Sequence, residues 1–175
     1  MSTNTAVRGL SPEAFKRVFR NHAAAGAAII TVDAGNSPVG FTATSVFSVS
    51  AEPALLVFSV SDDSSSARTL HKTEKVVIHL LSADQVDLAK LCAKSGVDRL
   101  ADTSLWDRLP TGEPSFPTAQ TWILGRVANR MPAGGATVLA VHALEASEPE
   151  DDFSPPLIHH NRRWHSHSDH STLTV

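Results

Sequence analysis

The most informative segment of the sequence is Pro38-Val-Gly-Phe-Thr-Ala-Thr-Ser45, followed directly by Val46-Phe-Ser-Val-Ser50. Small apolar residues alternate here with hydroxyl residues, which is the period-2 pattern of a half-buried strand. Because little bulk is present, a flat aromatic ring can approach this backbone closely while N–H and O–H groups bond its heteroatoms. A Ser/Thr-rich strand face exposed to water is the alternative interpretation.

Apolar runs and turn residues on either side of this stretch predict a mainly β protein. We expect helices over 11–22 and 67–72 and after Ser82, and strands over 27–33, 38–50, 54–60, 76–81, 121–128 and 137–146, with a last hairpin from 157–158 and 163–164. The total is about seven strands and about three short helices. Short turns join antiparallel strands, so the pattern favours an antiparallel barrel or sandwich with a few peripheral helices.

The length and net charge of the chain limit the number of domains and the kinds of binding partner that we expect. The 175 residues suit one domain, which we place at 11–167 between flexible ends at 1–10 and 168–175. The net charge of −3 gives no basic footprint for nucleic acid, and no apolar run approaches a membrane span. No secretory signal is visible at residues 1–9, so the expected localisation is cytoplasmic.

Several chemistries are not expected from the sequence. It has no Gly-x-Gly-x-x-Gly, phosphate-loop, zinc-helix or Gly-x-Ser-x-Gly motif. Cys92 is the single cysteine and is expected to be a buried thiol rather than a nucleophile. We expect no metal site: the histidines at 159–170 lack an acidic or cysteine partner nearby, and the carboxylates at 148–152 are interpreted as a solvated loop.

Ser64-Ser65-Ser66, with Arg68 close behind, is a candidate phosphate site. Serine hydroxyls, loop N–H groups and a guanidinium can together hold an anion without a helix dipole. The alternative interpretation is a polar surface loop.

Four segments, in order along nearly the whole chain, resemble the short-chain flavin reductases, the reductase components of two-component flavin monooxygenases. They are Pro38–Pro53, matching Pro-Val-Gly-x-Thr-Ala-x-Ser and Ser-Val-Ser; Ser64–Leu70; Ser95–Leu100, similar to a Gly-x-Asp-Arg-Phe loop; and Pro156–His165, similar to Pro-Leu-x-x-His…Arg-Tyr-His. Each match alone is weak, but the joint match is specific.

The resemblance implies an FMN-binding split β-barrel, antiparallel and Greek-key-like, that works as a homodimer with flavin near the subunit interface. It implies FMN or FAD as the flavin and NADH or NADPH as the reductant. By the same resemblance, Pro38, Val39, Thr42, Ala43, Thr44 and Ser45 line the isoalloxazine and ribityl chain, Ser48, Ser61, Asp62, Ser64, Ser65 and Ser66 serve the ribityl and phosphate end, and His159, Arg163, Trp164 and His165 border the nicotinamide nucleotide.

The implied function is NAD(P)H-dependent reduction of flavin for a separate monooxygenase, by hydride transfer from nicotinamide C4 to flavin N5. That step needs no acid, base or nucleophile, so no catalytic side chain is expected. The alternative is a flavin-binding electron carrier or redox sensor on the same fold. A split-barrel oxidase acting on a vitamin B6 phosphate ranks lower, because Arg162-Arg163 is its only candidate phosphate pocket.

Three positions depart from the family pattern. His79 stands where the family usually has Asn, and Trp164 where it has Tyr. Gly134-Gly135-Ala136 replaces Gly-Asp-His, whose histidine is expected on the nicotinamide side. This last departure affects two expectations: which nicotinamide donor the protein prefers, and whether it catalyses flavin reduction.

Overall fold

A computed structural model describes residues 10–22, 24–35, 37–147, 154–167 and 169–173 of the chain. The flexible ends predicted at 1–10 and 168–175 lie in part outside these residues and stay predictions. The acidic loop expected at 148–156 lies mostly outside them, including the carboxylates considered at 148–152.

The described residues form short helices and many antiparallel strands. The helices are α1 (Pro12–His22), α2 (Ala67–Lys72) and α3 (Val86–Ala93), with single 3₁₀ turns at Ala83–Gln85 and Asp169–Ser171. The strands are β1 (Ala25–Gly26), β2 (Ala28–Val32), β3 (Val39–Ala43), β4 (Phe47–Ala51), β5 (Ala54–Ser61), β6 (Lys75–Leu80), β7 (Asp107–Arg108), β8 (Pro114–Ser115), β9 (Thr121–Pro132), β10 (Ala136–Ala146), β11 (Leu157–His160) and β12 (Arg163–Ser166). The prediction of a mainly β protein with a few helices is confirmed.

One large sheet carries the fold. Its order is β3-β2-β6-β9-β10-β5-β4, and every pairing in it is antiparallel. Phe41 on β3 and Phe58 on β5 lie near opposite ends of that order, yet their ring centroids are only 6.3 Å apart. The sheet therefore curls until its two ends approach each other, as in a barrel. Strands β1, β11 and β12 form a separate three-stranded sheet.

The expected strand over 38–50 is wrong as one element. It is two strands, β3 and β4, separated by residues 44–46, and they lie at opposite edges of the large sheet. The alternating pattern continues through the break because both strands keep the same period. The chain changes direction where the Ser45 side chain is held by Ser59, 2.9 Å from its backbone N–H.

Strand β2 separates two apolar clusters, and all five of its residues are buried. Ile30 faces the cluster inside the curled sheet with Phe58 and Leu139. Ile29 faces a second cluster that contains Cys92 and Leu157. Because successive side chains of a strand point to opposite faces, β2 is apolar throughout instead of alternating. The second cluster joins the large sheet to α3 and to the C-terminal hairpin.

Candidate functional site

Two cavities adjoin each other at one end of the large sheet. The first has a volume of about 530 Å³ and the second about 430 Å³. The first is lined by Phe41, Thr42, Ser59, Val60, Ser61, Asp63, Ser64, Ser65, Cys92, Ala93, Ser95, Gly96 and Arg99, and the second by Ser37, Pro38, Val39, Gly40, Ser65, Ser66, Val97, Asp98, Arg99 and Leu100. Ser65 and Arg99 line both, so the two cavities share a wall.

The serine loop 61–66 is folded back on itself and held by the β9–β10 hairpin. The Ser64 N–H donates to the Ser61 carbonyl at 3.0 Å, and the Ala67 N–H donates to the Ser64 carbonyl at 3.0 Å. The Asp62 N–H donates to the Gly135 carbonyl at 3.0 Å. These bonds fix the loop without using the hydroxyl of Ser65.

The loop leaves hydrogen-bond donors at the first cavity. Within the described residues, the backbone N–H groups of Asp63 and Ser65 have no acceptor, and neither does the Ser65 hydroxyl. The nearby Ser64 hydroxyl accepts from the Ser66 N–H at 3.3 Å. Unpaired loop N–H groups beside serine hydroxyls suit an anionic oxygen, as the sequence predicted for this segment.

Arg99 supplies the positive charge at the shared wall, and the sequence interpretation did not select it. Its Nη1 donates to the Gly40 carbonyl at 2.9 Å and to the Ser66 hydroxyl at 3.1 Å. Its Nε donates to the Lys94 carbonyl at 2.7 Å. The Ser95–Leu100 match to the family's Gly-x-Asp-Arg-Phe loop was the sequence feature that pointed to this residue.

Thr42 and Cys92 form the floor on the α3 side of the first cavity. The Thr42 hydroxyl donates to the Ala89 carbonyl at 2.6 Å, which fixes strand β3 against α3. Cys92 is only 1% exposed, and burial raises the pKa of its thiol to about 12. The prediction of a buried, protonated thiol is confirmed, and Cys92 is not poised as a nucleophile.

Seven of the predicted flavin residues line one or both cavities. Thr42, Ser61 and Ser64 line the first, Pro38, Val39 and Ser66 line the second, and Ser65 lines both. Of the other predicted flavin residues, Ala43 is buried in the inner apolar cluster. Thr44 and Ser48 are exposed, Ser45 is bonded to Ser59, and Asp62 accepts from the Thr137 hydroxyl at 2.9 Å. Their flavin contacts stay predictions.

The predicted nicotinamide residues lie on the C-terminal hairpin, outside both cavities. His159 on β11 faces Trp164 on β12 edge-on, with ring centroids 4.8 Å apart. Trp164 packs against the second apolar cluster, which also contains Cys92 and Leu100 from the cavity walls. Arg163 and His165 are exposed. Their contact with a nicotinamide nucleotide stays a prediction.

The two other departures from the family pattern have different surroundings. His79 is fully buried, and its Nε2 accepts from the Phe116 N–H at 3.0 Å while its Nδ1 lies 3.1 Å from the Ile29 carbonyl. Residues Gly134 and Gly135 form the turn of the β9–β10 hairpin, with Gly134 at φ +67°. The hairpin turn therefore holds the serine loop through its backbone and carries no polar side chain at 134–136.

Comparison with known proteins places this chain in one class. The family model for a flavin reductase-like domain matches residues 20–168. An NADH:FMN oxidoreductase of Rhodococcus erythropolis is 38% identical over 159 residues, covering 90% of this chain and 82% of the relative. The chain belongs to the flavin reductase-like family.

Solved structures agree with this assignment. A flavin reductase domain protein from Arthrobacter sp. FB24 superposes with a TM-score of 0.82 at 33% identity, covering 89% of this chain and 95% of the other. The flavin reductase component of a bacterial two-component tryptophan halogenase superposes with a TM-score of 0.79 at 26% identity, covering 90% and 98%. The relatives are thus named for flavin reduction, one of them for the oxidation of NADH by FMN.

Proposed function

We propose that this chain is an NAD(P)H-dependent flavin reductase that supplies reduced FMN or FAD to a separate monooxygenase. The observation that carries the proposal is the first cavity, which is lined by Arg99 and by Asp63 and Ser65, two residues whose backbone N–H groups have no acceptor within the described residues. Family membership supports the activity, since the Rhodococcus relative is named NADH:FMN oxidoreductase.

The residues present fit a flavin phosphate ester. Its phosphate needs several donors and a cation, which the serine loop and Arg99 supply. The remaining ring and ribityl chain need close approach to backbone, and Thr42, Gly40 and Val39 offer a wall of small side chains there. Each of the two cavities, at about 530 Å³ and about 430 Å³, falls within the range of about 300–1,000 Å³ that is usual for small-ligand sites.

A flavin held in these cavities would supply the redox chemistry, as the acceptor of a hydride from the nicotinamide donor. The chain's own residues bind and orient it: the serine loop holds the anionic end, and the β3 wall fixes the plane of the ring. Since hydride transfer needs the two rings roughly 3–3.5 Å apart, orientation is the main contribution of the protein.

Flavin-dependent oxidation of NADH tests the function, followed by loss of nicotinamide absorbance. FMN and FAD are compared in parallel, with NADPH as the second donor and the reaction without flavin as the control. Multiple turnovers with excess flavin support the reductase. Absence of turnover with a flavin that demonstrably binds contradicts it.

An electron carrier or redox sensor on the same fold is the second candidate. The segment Gly134–Ala136 favours it, because this segment offers no polar side chain to a nicotinamide nucleotide. Flavin binding without catalytic bleaching by NADH or NADPH is the result that selects this candidate.

A homodimer is part of the proposal, and exposed apolar side chains support it. Phe47 and Val49 are 61% and 59% exposed on β4, an edge strand of the large sheet. On α1, Phe15, Val18 and Phe19 are also more than half exposed. Apolar faces of this kind on an edge strand mark association surfaces.

Light scattering after size-exclusion chromatography measures the mass of the assembly. Phe47→Asp is expected to shift the protein from dimer to monomer, because a charge replaces an apolar contact. Ser48→Asp on the same strand is the matched control and should remain dimeric. A wild-type monomer at micromolar concentration contradicts the homodimer.

A monooxygenase partner and a cytoplasmic location complete the proposal. The halogenase relative is named as one component of a two-component system, which supports transfer of reduced flavin to a second protein. The free, buried thiol of Cys92 supports a reducing compartment. In the described residues, α1, α2 and α3 are all too short or too polar to cross a membrane.

A further inference from the structure

The second cavity lies between two walls that come from distant parts of the chain. Residues 37–40, which lead into β3, form the β3 wall, and residues 97–100, which follow α3, form the 97–100 wall. The two walls approach closely at one point, because a Cβ added to Gly40 would lie 3.4 Å from Cδ1 of Leu100. The width of the cavity therefore depends on the contacts that hold these two walls in place.

A carboxylate ties the β3 wall to Arg108. Asp33 follows directly after β2, and its Oδ1 accepts from the N–H groups of Gly35 and Ser37 at 2.9 and 3.1 Å. Its Oδ2 accepts from Nη2 of Arg108 at 2.8 Å. Because Ser37 is itself part of the β3 wall, this carboxylate connects the wall to a guanidinium on β7.

The same guanidinium is tied to the 97–100 wall through Trp106. The indole Nε1 of Trp106 donates to the Leu100 carbonyl at 2.9 Å, and the ring packs against the second apolar cluster. The guanidinium carbon of Arg108 lies 5.7 Å from the centroid of this ring, within the range of a cation–π contact. Arg108 therefore contacts the groups that hold both walls of the second cavity.

The pair of Asp33 and Arg108 is charged and lies outside the two cavities. Burial alone would raise the pKa of Asp33, but the hydrogen bonds from Arg108, Ser37 and Gly35 outweigh it and hold this pKa below its ordinary value. The Asp33 side chain is only 10% exposed. Both residues line a different cavity of about 390 Å³, so a ligand in the second cavity does not touch them.

We propose that Arg108 is a positioning residue of this protein, which together with Asp33 sets the spacing between the two walls of the second cavity. The inference rests on the proposed function, because it places the flavin ring against the β3 wall. Arg108 acts through Ser37 on one side and through Leu100 on the other. A wall spacing that is fixed in advance lowers the entropy cost of orienting the ring, and hydride transfer depends on that orientation.

A double-mutant cycle on FMN affinity, measured by quenching of flavin fluorescence, tests whether the pair acts as a unit. The variants are Arg108→Gln, Asp33→Asn and the double variant. Asp33→Asn keeps a side-chain oxygen for the N–H groups of Gly35 and Ser37 and removes only the charge. Each single change should weaken FMN binding about three- to tenfold, and the double variant should be no weaker than either single one, because both changes remove the same contact.

A spectroscopic signature distinguishes positioning from a general loss of stability. The visible circular dichroism of FMN at saturation reports a ring held in one orientation, and it should decrease in Arg108→Gln while urea unfolding stays close to wild type. The rate of NADH oxidation at saturating FMN should fall with it. Trp106→Phe keeps the ring but loses the bond to Leu100, so it should have the same effects. Lys90→Gln breaks an exposed ion pair with Asp87 on α3 and is the matched control.

Several outcomes overturn the inference. Wild-type FMN affinity and circular dichroism in folded Arg108→Gln would show that the walls keep their spacing without the pair. Losses that multiply in the double variant would show that the two residues act separately, and weaker binding with unchanged circular dichroism would remove the effect on the ring. If Asp33→Asn does not fold, Arg108→Gln and Trp106→Phe decide by the same measurements. Failure of folded wild type to bind FMN or FAD defeats the proposed function itself, whereas wild-type behaviour of Arg108→Gln defeats only the role of Arg108.

Discussion

The Ser45 hydroxyl accepts a hydrogen bond from the backbone N–H of Ser59 at 2.9 Å, and the two serine hydroxyls lie 3.0 Å apart. Ser45 stands between β3 and β4, where the chain passes from one edge of the large sheet to the other. Ser59 lies on β5, the neighbour of β4. This pair therefore anchors the bend that divides the first sequence motif into two strands.

Ser45→Ala is expected to destabilise the protein. It leaves the part-buried Ser59 N–H without its acceptor, at a cost of about 1–3 kcal/mol. Urea unfolding followed by circular dichroism measures the change, with Thr44→Ala at the adjacent exposed position as the control. Unchanged stability together with weaker flavin binding would instead assign the Ser45 hydroxyl to the ligand.

Most strands of this protein could be predicted from the sequence, because each one has a local pattern of apolar residues. The runs 27–33, 54–60 and 76–81 correspond closely to β2, β5 and β6. The break after Ala43 was missed because alternation continues into β4, and the chain reversal depends on a contact between Ser45 and Ser59. Such a contact is not encoded in the local pattern.

Only part of the candidate site was predicted from the sequence, for a related reason. The serine loop was found because its donors are adjacent in sequence. Arg99 was not selected, because it is far from Ser66 in the sequence. The packing of α3 against β3 brings the two residues together, and no local motif indicates this contact. The same limit explains why the hydrogen bond between Ser45 and Ser59 was not predicted, since Ser59 lies on another strand.

Gly125 on β9 is required by close packing against β10. A Cβ added there would lie far inside contact distance of Val141 Cγ1 and 3.2 Å from the His142 carbonyl oxygen. Gly125→Ala should therefore cost about 1–3 kcal/mol by overpacking. Thermal unfolding of Gly125→Ala and of the double variant with Val141→Ala measures this effect.

The double variant should recover part of the stability relative to Val141→Ala alone, because the two changes share one contact. Gly135→Ala is the control, since an added Cβ there meets nothing within 4 Å. Equal stability of Gly125→Ala and wild type would show that β9 and β10 can separate without loss.

Ser65→Ala tests the donor set at the shared wall of the cavities. The Ser65 hydroxyl lines both cavities and has no partner within the described residues, so its removal should weaken FMN binding several-fold, about 1 kcal/mol. The rate at saturating FMN should change little, because the hydroxyl acts in binding and not in hydride transfer. Thr103→Ala on an exposed loop is the control, and unchanged FMN affinity in Ser65→Ala would remove the serine loop from the site.

His79 makes the stability of the fold depend on pH. Burial lowers the pKa of its imidazole to about 4 from an ordinary value of 6.5, because the charged ring loses its hydration there, and the hydrogen bond to the Ile29 carbonyl only partly opposes this. Between these two pKa values the unfolded chain binds more protons than the folded one. Its contribution to stability is therefore fully present above pH 6.5 and is lost as the pH falls towards 4.

The size of the effect follows from the same shift and amounts to about 3 kcal/mol across that interval. His79→Asn should flatten this part of the profile, because an amide can donate to the Ile29 carbonyl and accept from the Phe116 N–H without titrating. Urea unfolding of wild type and variant from pH 4.5 to 7 measures the difference, with His142→Asn at an exposed position on β10 as the control. If His79→Asn and wild type lose stability in parallel as the pH falls, the acid sensitivity belongs to other groups.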